Sequence, residues 1–119
     1  MRILIVDDHE LLRRGIRGII ERDNLGEVCG EATNGLEAID KVQKLKPDLV
    51  LLDVSMPLMG GLEAARRIRD IAPSTTIIVV TMHDSRQIKS LAEEAGADAL
   101  VEKSEVSTTL VEAIKKRYR

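Results

Sequence analysis

The chain has 119 residues, a net charge of −2, one cysteine and a single aromatic, Tyr118. That length favours one domain with an aliphatic core. The charge gives no drive toward nucleic acid or anionic membrane, and one cysteine excludes an internal disulfide and fits a reducing compartment. No apolar run approaches the roughly 18 residues of a membrane span, and Met1-Arg2 leads into a strand without a signal-peptide pattern, so a cytoplasmic protein with no membrane partner is expected.

The hydrophobic period switches regularly along the chain. Ile3 to Val6 is a buried strand closed by Asp7-Asp8. Leu12, Ile16, Ile19 and Ile20 mark one face of a helix that Asp8 is placed to cap and Asn24 with Gly26 to end. Val28 to Ala32 is a weaker strand, interrupted by Gly30, and suits a sheet edge. Cys29 within it reads as an inert, half-buried thiol.

Asn34-Gly35 predicts a turn, after which Ala38, Val42 and Leu45 continue as a helix that Pro47 stops. Leu49 to Leu52 is a fully apolar strand closed by Asp53. Ser55 to Gly61 is a loop. Leu62, Ala65, Ile68 and Ala72 form a third helix face, with Arg66, Arg67, Arg69 and Asp70 expected outside. Ile77 to Val80 is a buried strand ending at Thr81. Ile88, Leu91, Ala92 and Ala95 mark a fourth helix closed by Gly96, and Ala99 to Val101 a short edge strand. Val106, Leu110, Ala113 and Ile114 mark a final helix, with Lys115, Lys116, Arg117 and Arg119 at its C-terminal end.

Five strands alternating with five helices predict a doubly wound α/β domain over residues 1–119, with a parallel sheet. The fully apolar strands belong at the centre, which the order 2-1-3-4-5 provides. Ligands of such sheets bind beyond the carboxyl ends of the strands where the order reverses, here between strands 1 and 3. Asp7, Asp8 and Asp53 end those strands, Thr81 ends strand 4 and Lys103 follows strand 5.

An Asp at a strand end is more often a turn or cap residue, and a lone lysine is usually a solvated charge. Convergence of all five at one sheet edge favours a site instead. Crowded carboxylates repel, which a hard cation relieves, and an oxygen-only, water-rich ligand set suits Mg²⁺ rather than zinc. Asp53 then becomes a nucleophile toward a phosphoryl donor, with Lys103 supplying charge and Thr81 a hydroxyl donor. A phosphatase using an aspartyl nucleophile after strand 1 would show Asp-x-Asp there, not Asp7-Asp8-His9. A flavin site would want flanking aromatics, and no glycine-rich phosphate loop follows strand 1.

The chain resembles, from end to end, a response-regulator receiver domain of two-component signalling, a flavodoxin-like (βα)5 fold. Ile5-Val6-Asp7-Asp8-His9, Pro47 to Asp53, Met56 to Gly61, Thr81-Met82-His83-Asp84, and Gly96-Ala97-Asp98 followed by Lys103 carry the likeness. The first and fourth of these resemble the subfamily with a LuxR-type helix-turn-helix output. The resemblance implies that Asp53 accepts phosphate from a sensor histidine kinase. It implies that Asp7, Asp8, Asp53 and the Ser55 backbone carbonyl arrange Mg²⁺, and that Thr81 and Lys103 sense the phosphoryl group. It further implies a switched surface of helix 4, strand 5 and helix 5, a phosphorylation-dependent homodimer, and DNA contact only through a C-terminal domain outside this chain.

Two positions depart from the family pattern. Leu100 stands where members usually carry Tyr or Phe, and Ser104 where many carry proline. Leu100 keeps a second reading open, a phosphorylation-independent pseudo-receiver acting as a protein-interaction module. The resemblance further implies that Ser55 and His83, two residues past Asp53 and Thr81, flank the path of attacking water and bear on phosphoryl lifetime.

Overall fold

The computed structural model describes residues 1–82 and 86–118. Its sheet has five parallel strands in the order β2-β1-β3-β4-β5, as the apolar runs predict. The strands are β1 (Arg2–Val6), β2 (Glu27–Ala32), β3 (Leu49–Asp53), β4 (Thr76–Thr81) and β5 (Ala99–Glu102). The helices are α1 (Glu10–Arg22), α2 (Gly35–Leu45), α3 (Gly61–Ile71), α4 (Arg86–Glu94) and α5 (Val111–Arg117).

The two-residue repeat of a strand divides the core. Leu4, Val6, Val50, Leu52, Ile77 and Val79 face α2, α3 and α4, meeting Ala38, Val42, Ala64, Ala65, Ile68 and Ala92. Ile3, Ile5, Leu49, Leu51 and Ile78 face the other way, onto Ile16 and Ile20 of α1 and Ile114 of α5. The central strands are buried on both faces, which is why they read as unbroken apolar runs. Leu100 packs on the α3–α4 side of the sheet. Cys29 is half-buried, and burial pushes its thiol pKa up, consistent with an inert group.

Four local features differ from the sequence reading. Asp8 does not cap α1: His9 occupies the N-cap position and its side chain makes no cap bond. Asn34 is a helix cap rather than a turn residue. Its side chain accepts from the Glu37 N–H at 2.9 Å, while the Glu37 carboxylate accepts from Thr33 N–H at 3.0 Å. Arg69 is drawn inward, donating to the carbonyls of Pro73, Thr75 and Gly96 and to the Asp98 carboxylate. The last helical segment is composite: a 3-10 turn over Lys103–Glu105 and a π-helical turn over Val106–Leu110 precede α5. Val106, Leu110 and Ile114 all pack on the α1 side of the core.

Candidate functional site

Asp7 follows β1 and extends its ladder by one bond, its amide donating to Ala32 O at 3.0 Å. The Arg13 guanidinium donates to the Asp7 carbonyl at 2.6 Å and to Glu31 Oε1 at 2.9 Å. The Asp7 side chain is 2% exposed and turned inward. Asp53 ends β3, is equally buried, and pairs in register with Val80 of β4.

The backbone just beyond Asp53 is held by two bonds, Val54 N–H to Val80 O at 3.2 Å and Gly61 N–H to Val54 O at 2.9 Å. Gly61 lies so close that a Cβ there would sit 2.0 Å from the Asp53 carbonyl oxygen. Thr81 is buried at the end of β4. Lys103, the first residue after β5, spans the two acids: its Nζ lies 3.2 Å from Asp7 Oδ2 and 3.0 Å from Asp53 Oδ1. The five residues predicted at this sheet edge therefore lie there, and Asp7, Asp53 and Lys103 are in direct contact. Ser55 lies two residues past Asp53, and its backbone amide favours the Asp53 carboxylate, working against burial. His83 and the end of the Thr81-to-Asp84 motif lie outside the described residues, as does Arg119.

The electrostatics follow from burial and charge count. Desolvation raises the Asp53 pKa, the Lys103 hydrogen bond and charge oppose it, and the negative charge of Asp7 raises it further. For Lys103, burial works against the ammonium, but the bond to Asp53 and the charges of Asp53 and Asp7 prevail and raise its pKa. One cation faces two buried anions, with Asp8 adding a third, partly exposed carboxylate.

Asp53 Oδ2 is buried and has no hydrogen-bond partner among the described residues. A buried carboxylate oxygen without a donor is costly and marks a place that a cation would satisfy. One ligand atom each from Asp7, Asp8, His9 and Asp53 lie within 4.8 Å of one another. The donor set is therefore compact, mainly oxygen and net negative, which fits a hard divalent cation.

Two participants receive no role from the sequence. His9 sits against both N-terminal acids, its Nδ1 3.1 Å from Asp7 Oδ1 and from Asp8 Oδ1. It closes the Ile5-to-His9 motif, which gives it no role of its own. Arg13 braces Asp7 and belongs to a small network in which Arg17 also binds Glu31, at 2.6 Å. The signal was Glu31, an acid inside β2, opposite two arginines spaced i, i+4 on α1.

The response regulator receiver domain model matches residues 3–115. YhcZ of Bacillus subtilis, an uncharacterized transcriptional regulatory protein, is 42% identical over 83% of this chain and 46% of its own length. The chemotaxis protein CheY of Thermotoga maritima is 40% identical over 97% of this chain and 95% of its own. The response regulator UvrY of Escherichia coli is 38% identical over 99% of this chain and 54% of its own. The chain thus spans about half the length of two of these relatives and nearly all of the third. A LuxR-family two-component response regulator from Aurantimonas superposes with a TM-score of 0.92 at 39% identity, over 98% of this chain and 83% of that one. With the 2-1-3-4-5 sheet and an acidic edge at its switch point, this chain belongs to the response regulator receiver domain family.

Proposed function

We propose that this chain is a phosphoacceptor switch in which Asp53 takes a phosphoryl group from a sensor histidine kinase. The observation that carries this reading is the buried Asp53 carboxylate, ion-paired at Oδ1 to Lys103 and left without a partner at Oδ2. Receiver domains interact with histidine kinases and generally bind Mg²⁺. Here Asp7, Asp8, Asp53 and the Ser55 backbone carbonyl would hold it. When bound, Mg²⁺ neutralises charge on the acids and on the transferring group.

The protein's own residues do the rest. Asp53 supplies the nucleophilic oxygen: its O–P bond forms as the P–N bond of the kinase phosphohistidine breaks, the kinase imidazole leaves and takes up a proton, and Asp53 ends as an aspartyl phosphate. Lys103 pivots from the Asp7–Asp53 pair onto the new phosphoryl oxygens, an exchange of one anionic partner for a stronger one. The Thr81 hydroxyl donates to a phosphoryl oxygen from the end of β4. The added charge of roughly −1.5 to −2 then biases the α4, β5 and α5 surface toward its second state, altering dimerisation or contact with an output. Leu100, half-buried against the α3–α4 cluster, relays this by packing, since it has no ring to turn.

The regulators that this chain matches over half their length support reading residues 1–119 as the receiver portion of a longer DNA-binding regulator. Incubation with a small phosphodonor and Mg²⁺ tests the site. One acid-stable-to-neutral, alkali-labile phosphoryl group per chain is expected on the parent and none on Asp53→Asn. Labelling that persists at another residue overturns the assignment, and absence of labelling in the parent favours a phosphorylation-independent interaction module.

A further inference from the structure

The acidic cluster contains one donor that is not oxygen. His9 Nδ1 lies 3.1 Å from Asp7 Oδ1 and 3.1 Å from Asp8 Oδ1. The backbone sets this position, because the His9 N–H donates to Asp7 Oδ1 at 2.8 Å and folds the loop so that the ring and both acids share one side. Two cis ligands on one octahedral cation, each about 2.1 Å from it, sit about 3.0 Å apart. The imidazole already stands at that spacing from two carboxylate oxygens. In the metal-free protein Nδ1 hydrogen-bonds to Asp7 Oδ1, and the rest of the ring is largely exposed and makes no cap bond to α1. An independent sign that a cation belongs here is Asp53 Oδ2, which is buried and has no partner among the described residues.

The geometry points to His9 as an imidazole ligand for divalent transition cations at the Asp7–Asp8–Asp53 site. The inference rests on the metal site proposed above and adds what decides between metals. Mg²⁺ gains little from a nitrogen donor and is held through oxygen alone. Cations of the Co²⁺, Ni²⁺ and Zn²⁺ class bind imidazole well, and for them Nδ1 adds a ligand beside the Asp7 and Asp8 oxygens that it already adjoins. The ring must then be neutral and carry its proton on Nε2, on the exposed side. Metal preference is thereby set by a side chain that takes no part in phosphoryl chemistry.

Calorimetric titration of the 119-residue chain with Mg²⁺ and with Co²⁺, alongside proton NMR of the Co²⁺-loaded protein, tests this. His9→Ala is expected to weaken Co²⁺ roughly tenfold or more while changing Mg²⁺ less than about twofold. The Co²⁺-loaded parent should show a hyperfine-shifted, solvent-exchangeable imidazole N–H resonance that His9→Ala lacks. Equal Co²⁺ affinities with no shifted imidazole proton overturn the assignment of His9. Asp53→Asn separates that failure from failure of the site: loss of both metals in Asp53→Asn with no effect of His9→Ala rejects only the histidine. Retention of both metals by Asp53→Asn rejects the metal site and this inference with it. Circular dichroism of each variant confirms the fold, which the exposed His9 side chain does not support.

Discussion

Asp53 is held in a place where its own charge is unwelcome. Its pKa is raised in the folded chain, first by burial and then by Asp7. A carboxyl whose pKa is higher folded than unfolded stabilises the fold while protonated. That contribution is complete below the unfolded value of 3.8 and is lost as pH rises through the folded value. At neutral pH without metal, Asp53 is therefore a net burden, and Asp53→Asn should raise the urea midpoint. The advantage should shrink as pH falls through the raised pKa, and, by the proposed metal site, shrink also on addition of Mg²⁺. A midpoint for Asp53→Asn equal to or below the parent's at pH 7 would contradict this. Lys103→Met removes the only side-chain cation recorded between two buried anions, and should cost about 3 kcal/mol in metal-free protein. Added Mg²⁺ should recover more stability in that variant than in the parent, as measured by urea unfolding at rising Mg²⁺. Asp7, Asp8, Asp53, Thr81 and Lys103 were legible because each ends or follows an apolar strand. His9 and Arg13 were not, since a loop fold and a reach from helix to backbone leave no period in the sequence.

At the scale of elements, the start of α3 is built onto the end of β3. A Cβ at Gly61 would strike the Asp53 carbonyl oxygen, with Val54 Cα 3.0 Å away. Gly61→Ala must push α3 or the Asp53 backbone aside, at about 2 kcal/mol or more. Phosphodonor labelling should fall even where the variant still folds, and a labelling rate equal to the parent's would show that the contact yields cheaply. Lys46 closes α2 in the left-handed region at φ 50°. Lys46→Gly should therefore stabilise the protein by about 1 kcal/mol, read as a rise in thermal midpoint. Strand positions and order were readable because strands buried on both faces leave runs that helices do not. The composite turn before α5 was not, because Val106, Leu110 and Ile114 fit a uniform helix as well as one with a π turn.

Across the whole molecule, one arginine ties the amino-terminal end of the sheet together. Arg69 of α3 bonds to the carbonyls of Pro73, Thr75 and Gly96, and to Asp98, which also accepts from Arg117 of α5 and from the Ile77 amide at the start of β4. Arg69→Ala should cost about 3 kcal/mol by stranding these acceptors. Arg69→Lys should recover little of it, because one ammonium cannot reach acceptors spread around a planar fork. Equal midpoints for the lysine variant and the parent would show that charge alone suffices. The sequence places Arg69 on the solvent side by helical period, and only the long-range fold reveals that loops from three elements arrive there.

The aromatic content has a practical consequence for optical work. Tyr118 is the single aromatic residue of the chain, and its hydroxyl bonds to the Asp48 carbonyl, just before β3. Asp53 lies five residues further along that strand, roughly 16 Å away at about 3.3 Å per residue. Intrinsic ultraviolet emission therefore reports on the pole opposite the acidic edge and is blind to events there. A tryptophan placed at the exposed Met82 would be the sole indole in the molecule, and its signal would carry no background from elsewhere in the fold.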